Sequence, residues 1–185
     1  MDSQETERPG GTPPETDWVR DALNRHEAPL LRHAARLTGD LETARDVVQE
    51  TFLRLCRADR ARIGDHLAPW LHTVCRNLAL DHLRKEQRMV ALDDHTAASL
   101  PGREAPPSAS AERAEARSRA DALIGGLPPK QQEVLRLKFQ DALSYEEISR
   151  ITGLSVSNVG YLIHTGLKTA REHLADAAAP AVPQA

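Results

Sequence analysis

Aromatic residues are nearly absent from this chain. Two Trp, two Tyr and two Phe in 185 residues amount to 3%. That is too few for a sheet protein, whose strands draw on aromatic and β-branched side chains. Cysteine is equally scarce: Cys56 and Cys75 cannot build a disulfide scaffold. Both fall in apolar helical patterns, which predicts buried free thiols. His72 and Cys75 have a spacing that would suit half of a metal site, but no second pair completes it, so no metal or other cofactor is expected. Excess positive charge is missing too. The 24 Lys and Arg against 27 Asp and Glu leave a net charge of −3. Any nucleic-acid contact must therefore come from local patches or be supported by a larger partner. No apolar run is long enough to span a membrane and no charged-then-apolar leader is visible, so the expectation is a cytoplasmic protein with no membrane contact. A P-loop and a Ser/His/Asp arrangement with supporting motifs are also missing, which argues against an enzyme.

What the chain does contain is helix-forming sequence. Hydrophobic residues make up 40%, chiefly Ala and Leu, which predicts an all-α protein with modest cores. The length suits one medium domain or two small ones. Residues 1–16 are rich in Gly, Pro, Thr and Glu and predict a disordered tail. A helical domain is expected over residues 17–92. Residues 93–110 (DDHTAASLPGREAPPSAS) have no apolar periodicity and predict a flexible linker. A second helical domain is expected over 111–175, and a frayed tail over 176–185.

In the first block, Pro29 suits the start of a helix ending near Thr38 and Gly39, because its missing N–H costs nothing there. Asp40 caps the next helix, in which Leu41, Ala44, Val48, Thr51, Phe52 and Leu55 form an apolar stripe. The other face carries Arg45, Asp46, Gln49, Glu50 and Arg54, polar with both signs. Ala58 to Ala68 predicts a loop. Pro69 then opens a long helix to Arg88, with Trp70, Leu71, Val74, Leu78 and Leu83 expected inside. On its other side Asn77, Asp81, Arg84 and Arg88 recur at helical spacing, flanked by Arg76 and Lys85. Such a stripe is either a solvated face or a nucleic-acid surface, with Arg and Lys for phosphates and Asn for a base edge.

The second block holds the most informative stretch, Leu143 to Glu172. Ser144 and Glu147 form a capping box. Ile148 and Ile151 give the short helix an apolar face, and Gly153 sits where that helix must end left-handed. Ser155 can cap the second helix. There Val159, Ile163 and Leu167 form an apolar stripe, opposite Ser157, Asn158, Tyr161, His164, Lys168 and Arg171. Small side chains at Ser149 and Gly153 favour close helix packing. The pattern reads as a helix-turn-helix able to enter a major groove, although many helical hairpins with a glycine turn bind no nucleic acid.

Taken in order, DVVQETFLRL (46–55), PWLHTVCRNLALDHLRK (69–85), LPPKQQEVLRLKF (127–139) and the helix-turn-helix at 144–172 resemble the extracytoplasmic-function sigma factors. These are the two-domain promoter-specificity subunits of bacterial RNA polymerase. The resemblance spans roughly Pro29 to Leu174. It implies that Asp46, Gln49, Glu50 and Arg54, beside Thr51, dock on the β′ clamp helices of core RNA polymerase, and that the β flap is a second contact. It implies that the loop between Arg57 and Pro69, with Arg62 and Asp65, captures a flipped base of the −10 element. Trp70, Asn77, Arg84, Lys85 and Arg88 would complete that site. Ser155, Ser157, Asn158, Tyr161, His164, Lys168 and Arg171 would read the −35 element. An anti-sigma factor is a further partner the resemblance suggests, for a protein that is otherwise a monomer when free. Gly160, Leu162 and Thr165 stand where many members carry basic residues, and Ala142 stands where glycine is frequent. The rival readings are a helix-turn-helix repressor or response-regulator output domain with no polymerase contact, and a metal protein using His72, Cys75 and Cys56.

Overall fold

The computed structural model describes residues 14–90 and 111–178. The expected linker at 93–110 lies outside the described residues, as do most of the two expected tails. The described residues form eight helices in two compact units, α1–α4 and α5–α8. Among them there is no strand, and no helix is long and apolar enough to cross a membrane.

The first unit is built from α1 (Pro14–Thr38), α2 (Leu41–Cys56), the single turn α3 (Arg60–Ile63) and α4 (Leu67–Val90). Its core joins Ala22, Leu30 and Ala34 of α1 to Ala44, Val47, Val48, Phe52 and Leu55 of α2, Ile63 of α3, and Leu71, Cys75 and Ala79 of α4. Burying each leucine contributes about 1.5–3 kcal/mol. The alanines let the helix backbones approach, so little volume is left to fill. Asp40 caps α2 as expected, its carboxylate accepting the Thr43 N–H at 2.7 Å.

Several expectations are corrected here. Pro29 does not start a helix but lies inside α1, which is already helical at Pro14 within the stretch expected to be tail. One apolar stripe runs through the proline, with Ala22 on one side and Leu30 and Ala34 on the other. Its burial offsets the one backbone hydrogen bond that Pro29 cannot make. Leu41 is 47% exposed, because the core face of α2 begins at Ala44 and includes Val47 instead. Cys56 is exposed, one position past the last buried residue of α2, Leu55. Trp70, Val74, Leu78 and Leu83 are half-buried, and Leu71, His72, Cys75 and Ala79 take the inner line of α4. The expected loop contains α3, because Ile63 reaches the core and Asp59 caps the turn by accepting the Ala61 N–H at 2.9 Å.

The second unit holds α5 (Ala111–Gly125), α6 (Pro129–Phe139), α7 (Tyr145–Thr152) and α8 (Val156–Ala178). Pro129 stands in the first turn of α6, where a missing N–H is tolerated. Val134, Leu135 and Leu137 of α6, Ile148 and Ile151 of α7, and Val159 and Ile163 of α8 are buried together with Leu127 and Leu143. Gln132 closes the α5–α6 turn by donating to the Leu127 and Gly125 carbonyls at 2.8 and 2.9 Å. The helical run continues to Ala178, three residues into the expected tail.

Two histidines are buried in the first unit. His33 of α1 and His72 of α4 meet edge to face, ring centres 5.3 Å apart. Burial, with Arg76 and Arg36 nearby, holds His33 down to about 4, and burial beside His33 and His26 holds His72 down to about 3. Both are neutral in the folded state at pH 7. Once unfolded, each takes up a proton below about 6.5. The unfolded state therefore binds more protons as pH falls from there, and stability drops until about pH 4 and below. We expect the melting temperature to fall steeply between pH 6.5 and 4, and this component of the fall to be reduced in His33→Phe. Parallel pH profiles for the two proteins would refute the assignment.

Candidate polymerase and nucleic-acid interfaces

On the outer face of α2, Asp46, Gln49 and Arg54 are exposed and Glu50 is half-buried. Glu50 accepts from Arg54 at 3.0 Å, one helical turn away. The face thus carries both signs, partly neutralised in place. Beside it lies a groove of about 680 Å³ between α1 and α2, lined mainly by Val19, Leu23, Leu31, Phe52, Leu53 and Cys56, with Gln49 at its edge. Leu23 and Leu53 are 37% and 43% exposed in it. Sequence reasoning missed this groove. Leu23 and Leu53 lie off both core stripes, and that was the available signal.

The α3–α4 side gathers the next set. Arg62 and Asp65 are exposed around α3, with Arg62 held loosely by Asp59 at 3.6 Å. Trp70 is half-buried against the core, so only part of its ring is free. Asn77, Arg84, Lys85 and Arg88 are exposed along α4. Arg84 donates to Asp81 at 2.8 Å, an exposed pair that a phosphate can displace at little cost.

In the second unit the helix-turn-helix forms as its sequence dictates. The Ser144 N–H donates to Glu147 at 2.7 Å and the Glu147 N–H to the Ser144 hydroxyl at 3.2 Å. Gly153 adopts φ +74, the left-handed region that glycine enters without strain. Ser149 donates to the Leu154 carbonyl at 2.6 Å and Ser155 accepts the Asn158 N–H at 3.2 Å, which sets the start of α8. Ser155, Ser157, Asn158, Tyr161, His164, Lys168 and Arg171 are all exposed. Ser157, Tyr161, His164, Lys168 and Arg171 share one stripe, with Asn158 beside it. Ser157 and Arg171 are about 21 Å apart along the helix, so they cannot address the same base pair. Lys168 is 3.9 Å from Glu172.

The places lacking basic residues have a structural explanation. Gly160 leaves room for the Tyr145 ring of α7, whose edge is 3.6 Å from where a Cβ would stand. Lys138 of α6 lies over the other part of this cluster, its Nζ 5.4 Å from the Tyr145 ring centre and donating to the Leu143 carbonyl at 3.2 Å. Leu162 is half-buried, and Thr165 donates to the Tyr161 carbonyl at 2.9 Å. Lys138 is therefore a cation beside the recognition helix that the motif alone did not reveal. Ala142 takes φ +55, a strained position for a residue with a Cβ, costing on the order of 1 kcal/mol.

Cys75 is buried, its Sγ 3.9 Å from the Leu30 carbonyl, and burial pushes its thiol up to about 12. It is inert as a nucleophile or ligand. Among the described residues no three His, Cys, Asp or Glu side chains gather as a metal-ion site.

A two-unit, all-helical chain whose second unit is a capped helix-turn-helix defines a class of DNA-binding architectures, and comparison narrows it. Residues 22–89 match the Sigma-70 region 2 family and residues 117–169 match Sigma-70, region 4. The chain is 34% identical over 147 residues to the ECF RNA polymerase sigma factor EcfG of Rhodopseudomonas palustris, covering 79% of each chain. It is 30% identical over 165 residues to SigL of Mycobacterium tuberculosis, covering 88% of this chain and 92% of that one. To SigE of Mycolicibacterium smegmatis it is 30% identical over 158 residues, 84% of this chain but only 61% of the relative's length. The chain belongs to the ECF RNA polymerase sigma factors.

The two glycines of the recognition helix should respond oppositely to a methyl group. Replacing glycine by alanine in a helix contributes about 1 kcal/mol. At Gly160 the new Cβ meets Tyr145 at ordinary contact distance, so Gly160→Ala should raise the melting temperature. At Gly166 it would meet Leu135 Cδ1 at 2.9 Å, and Leu135 is fully buried, so any shift must be taken up within the core. Overpacking there costs about 1–3 kcal/mol, so Gly166→Ala should lower the melting temperature. Thermal denaturation of both variants checks the pair.

Proposed function

We propose that this chain binds core RNA polymerase and directs it to a subset of promoters, acting in the cytoplasm by binding rather than by catalysis. The mixed-charge face of α2, with Asp46, Gln49, Glu50 and Arg54, docks on the β′ clamp helices, and the adjoining apolar groove adds buried area to that contact. The β flap meets the second unit. The α3 turn, with Arg62 and Asp65, and the outer side of α4, with Trp70, Asn77, Arg84, Lys85 and Arg88, engage the melted −10 strand. The α8 stripe reads the −35 element in the major groove, which is about 12 Å wide and admits a single helix. Promoter DNA is thus met by both units. An anti-sigma factor that covers the α2 face would compete with polymerase.

One observation carries this reading: the same chain has a helix-turn-helix in one unit and, in the other, a polar two-sign face beside an open apolar groove. A repressor would use the first and has no need of the second. With few cations on α8, Lys138 joins Lys168 and Arg171 as a candidate phosphate contact.

The test is a core-polymerase binding titration followed by run-off transcription from genomic fragments. Glu50→Arg removes the carboxylate that Arg54 holds and reverses charge at the docking face. Polymerase affinity should fall about tenfold or more, at unchanged helicity. Unaltered affinity would remove α2 from the interface.

On DNA, Asn158→Ala should relax base preference in the upstream element, where a bidentate amide–adenine pair discriminates by about 1–3 kcal/mol. Lys168→Ala should instead weaken binding to all sequences alike and lower the salt slope by about one unit. A randomised upstream library assayed across a salt series separates the two behaviours. A wild-type preference in Asn158→Ala would mean that α8 does not read bases with this residue.

A further inference from the structure

α1 begins at Pro14. Trp18 lies in the first turns of α1 and packs, half-buried, against the core of the first unit. The guanidinium carbon of Arg60 sits 5.6 Å from the centre of its ring. Arg60 is the first residue of α3, the turn between α2 and α4. The turn is anchored in the core at Ile63 and by its flanks, Ala58 and Leu67, which pack against the same core. Ile63 is 5% exposed and plugs into the core, Asp59 caps the first N–H groups, and Gly64 donates back to the Arg60 carbonyl at 3.0 Å. The remaining side chains of the turn, Arg62, Asp65 and His66, face solvent. A single-turn helix cannot hold itself, because so few backbone hydrogen bonds do not offset nucleation. A cation over an indole face supplies a lateral attachment that a plain apolar contact does not.

We propose that Trp18 is a positioning residue: through the Arg60 cation–π contact, the N-terminal part of α1 holds the α3 turn in the geometry with which it meets melted promoter DNA. The structural half stands on the contact itself. The DNA half rests on the reading of α3 and α4 as the −10 interface.

Three substitutions separate the cation–π contact from mere packing. Trp18→Leu keeps an apolar side chain but removes the aromatic face, Trp18→Phe keeps a weaker face, and Arg60→Gln removes the cation. Amide hydrogen exchange at Ile63, Gly64 and His66 is read on the free full chain. Trp18→Leu and Arg60→Gln should each speed exchange about two- to fivefold, the range of an exposed cation–π pair. Trp18→Phe should lie near wild type, and the double variant should be no faster than either single one. Unchanged exchange in Trp18→Leu, or single effects that multiply in the double variant, would overturn the tether.

The DNA half is read from permanganate reactivity of open complexes, formed with core polymerase on a promoter fragment that the wild-type protein transcribes. Trp18→Leu should reduce it about two- to fivefold while polymerase affinity stays at the wild-type value, and Trp18→Phe should restore it. If Asn77→Ala impairs melting and Trp18→Leu does not, the positioning role falls while the −10 reading stands. If neither impairs melting, the −10 reading itself is wrong.

Discussion

Close approach of helices through small residues is the constraint on which the rest depends. With aromatics at 3% of the chain, few large side chains are available to fill a wide core. Ala22, Ala34, Ala44 and Ala79 are almost completely buried in the first unit, and Gly166 is buried in the second. The same first core holds Leu30, Leu55 and Leu71, and in the second unit Leu135 comes close to Gly166. Dispersion falls away within an ångström of ideal separation, so a core this small holds only if the backbones come near. The faces that point outward on α2, α4 and α8 are set by this packing, because the side facing in leaves no freedom of rotation.

Charge is handled locally rather than globally. A chain of net −3 cannot rely on long-range attraction to DNA. Among the described residues several exposed cations are matched within one helical turn: Arg54 by Glu50, Arg84 by Asp81, Arg62 by Asp59 and Lys168 by Glu172. Such exposed pairs are worth little, so exchanging a carboxylate for a phosphate or a partner's carboxylate costs little. A weakly charged recognition helix also places more of the discrimination on base contacts and on polymerase tethering than on phosphate attraction. Lys138, carried by α6 and laid over Tyr145, is a further cation of this unit.

Much of this was legible in the residues themselves. The capping box at Ser144 and Glu147, the left-handed Gly153 and the caps at Asp40 and Ser155 are local chemistry, decided by residues three or four apart. So is the placement of Asp46, Gln49 and Arg54 opposite Val47, Val48 and Leu55. What misled was chemistry whose local signal was overruled from a distance. Pro29 reads as a helix start, but a core stripe on both sides of it carries the helix through. Cys56 reads as buried by periodicity, but the core ends at Leu55. The α3 turn read as loop because what fixes it, the seating of Ile63 among the other helices and the contact of Arg60 with Trp18, involves residues distant in sequence.

Helix positions, caps, the turn of the helix-turn-helix and the polar character of each outer face follow from nearest-neighbour chemistry, so composition and spacing settle them. The apolar groove between α1 and α2, the paired histidines, the cation laid on Tyr145 and the contact of Arg60 with Trp18 all join residues far apart in the chain. No periodicity encodes such pairs. They exist only once backbone packing brings two helices to one distance and one rotation, which is a property of the assembled core rather than of any single segment.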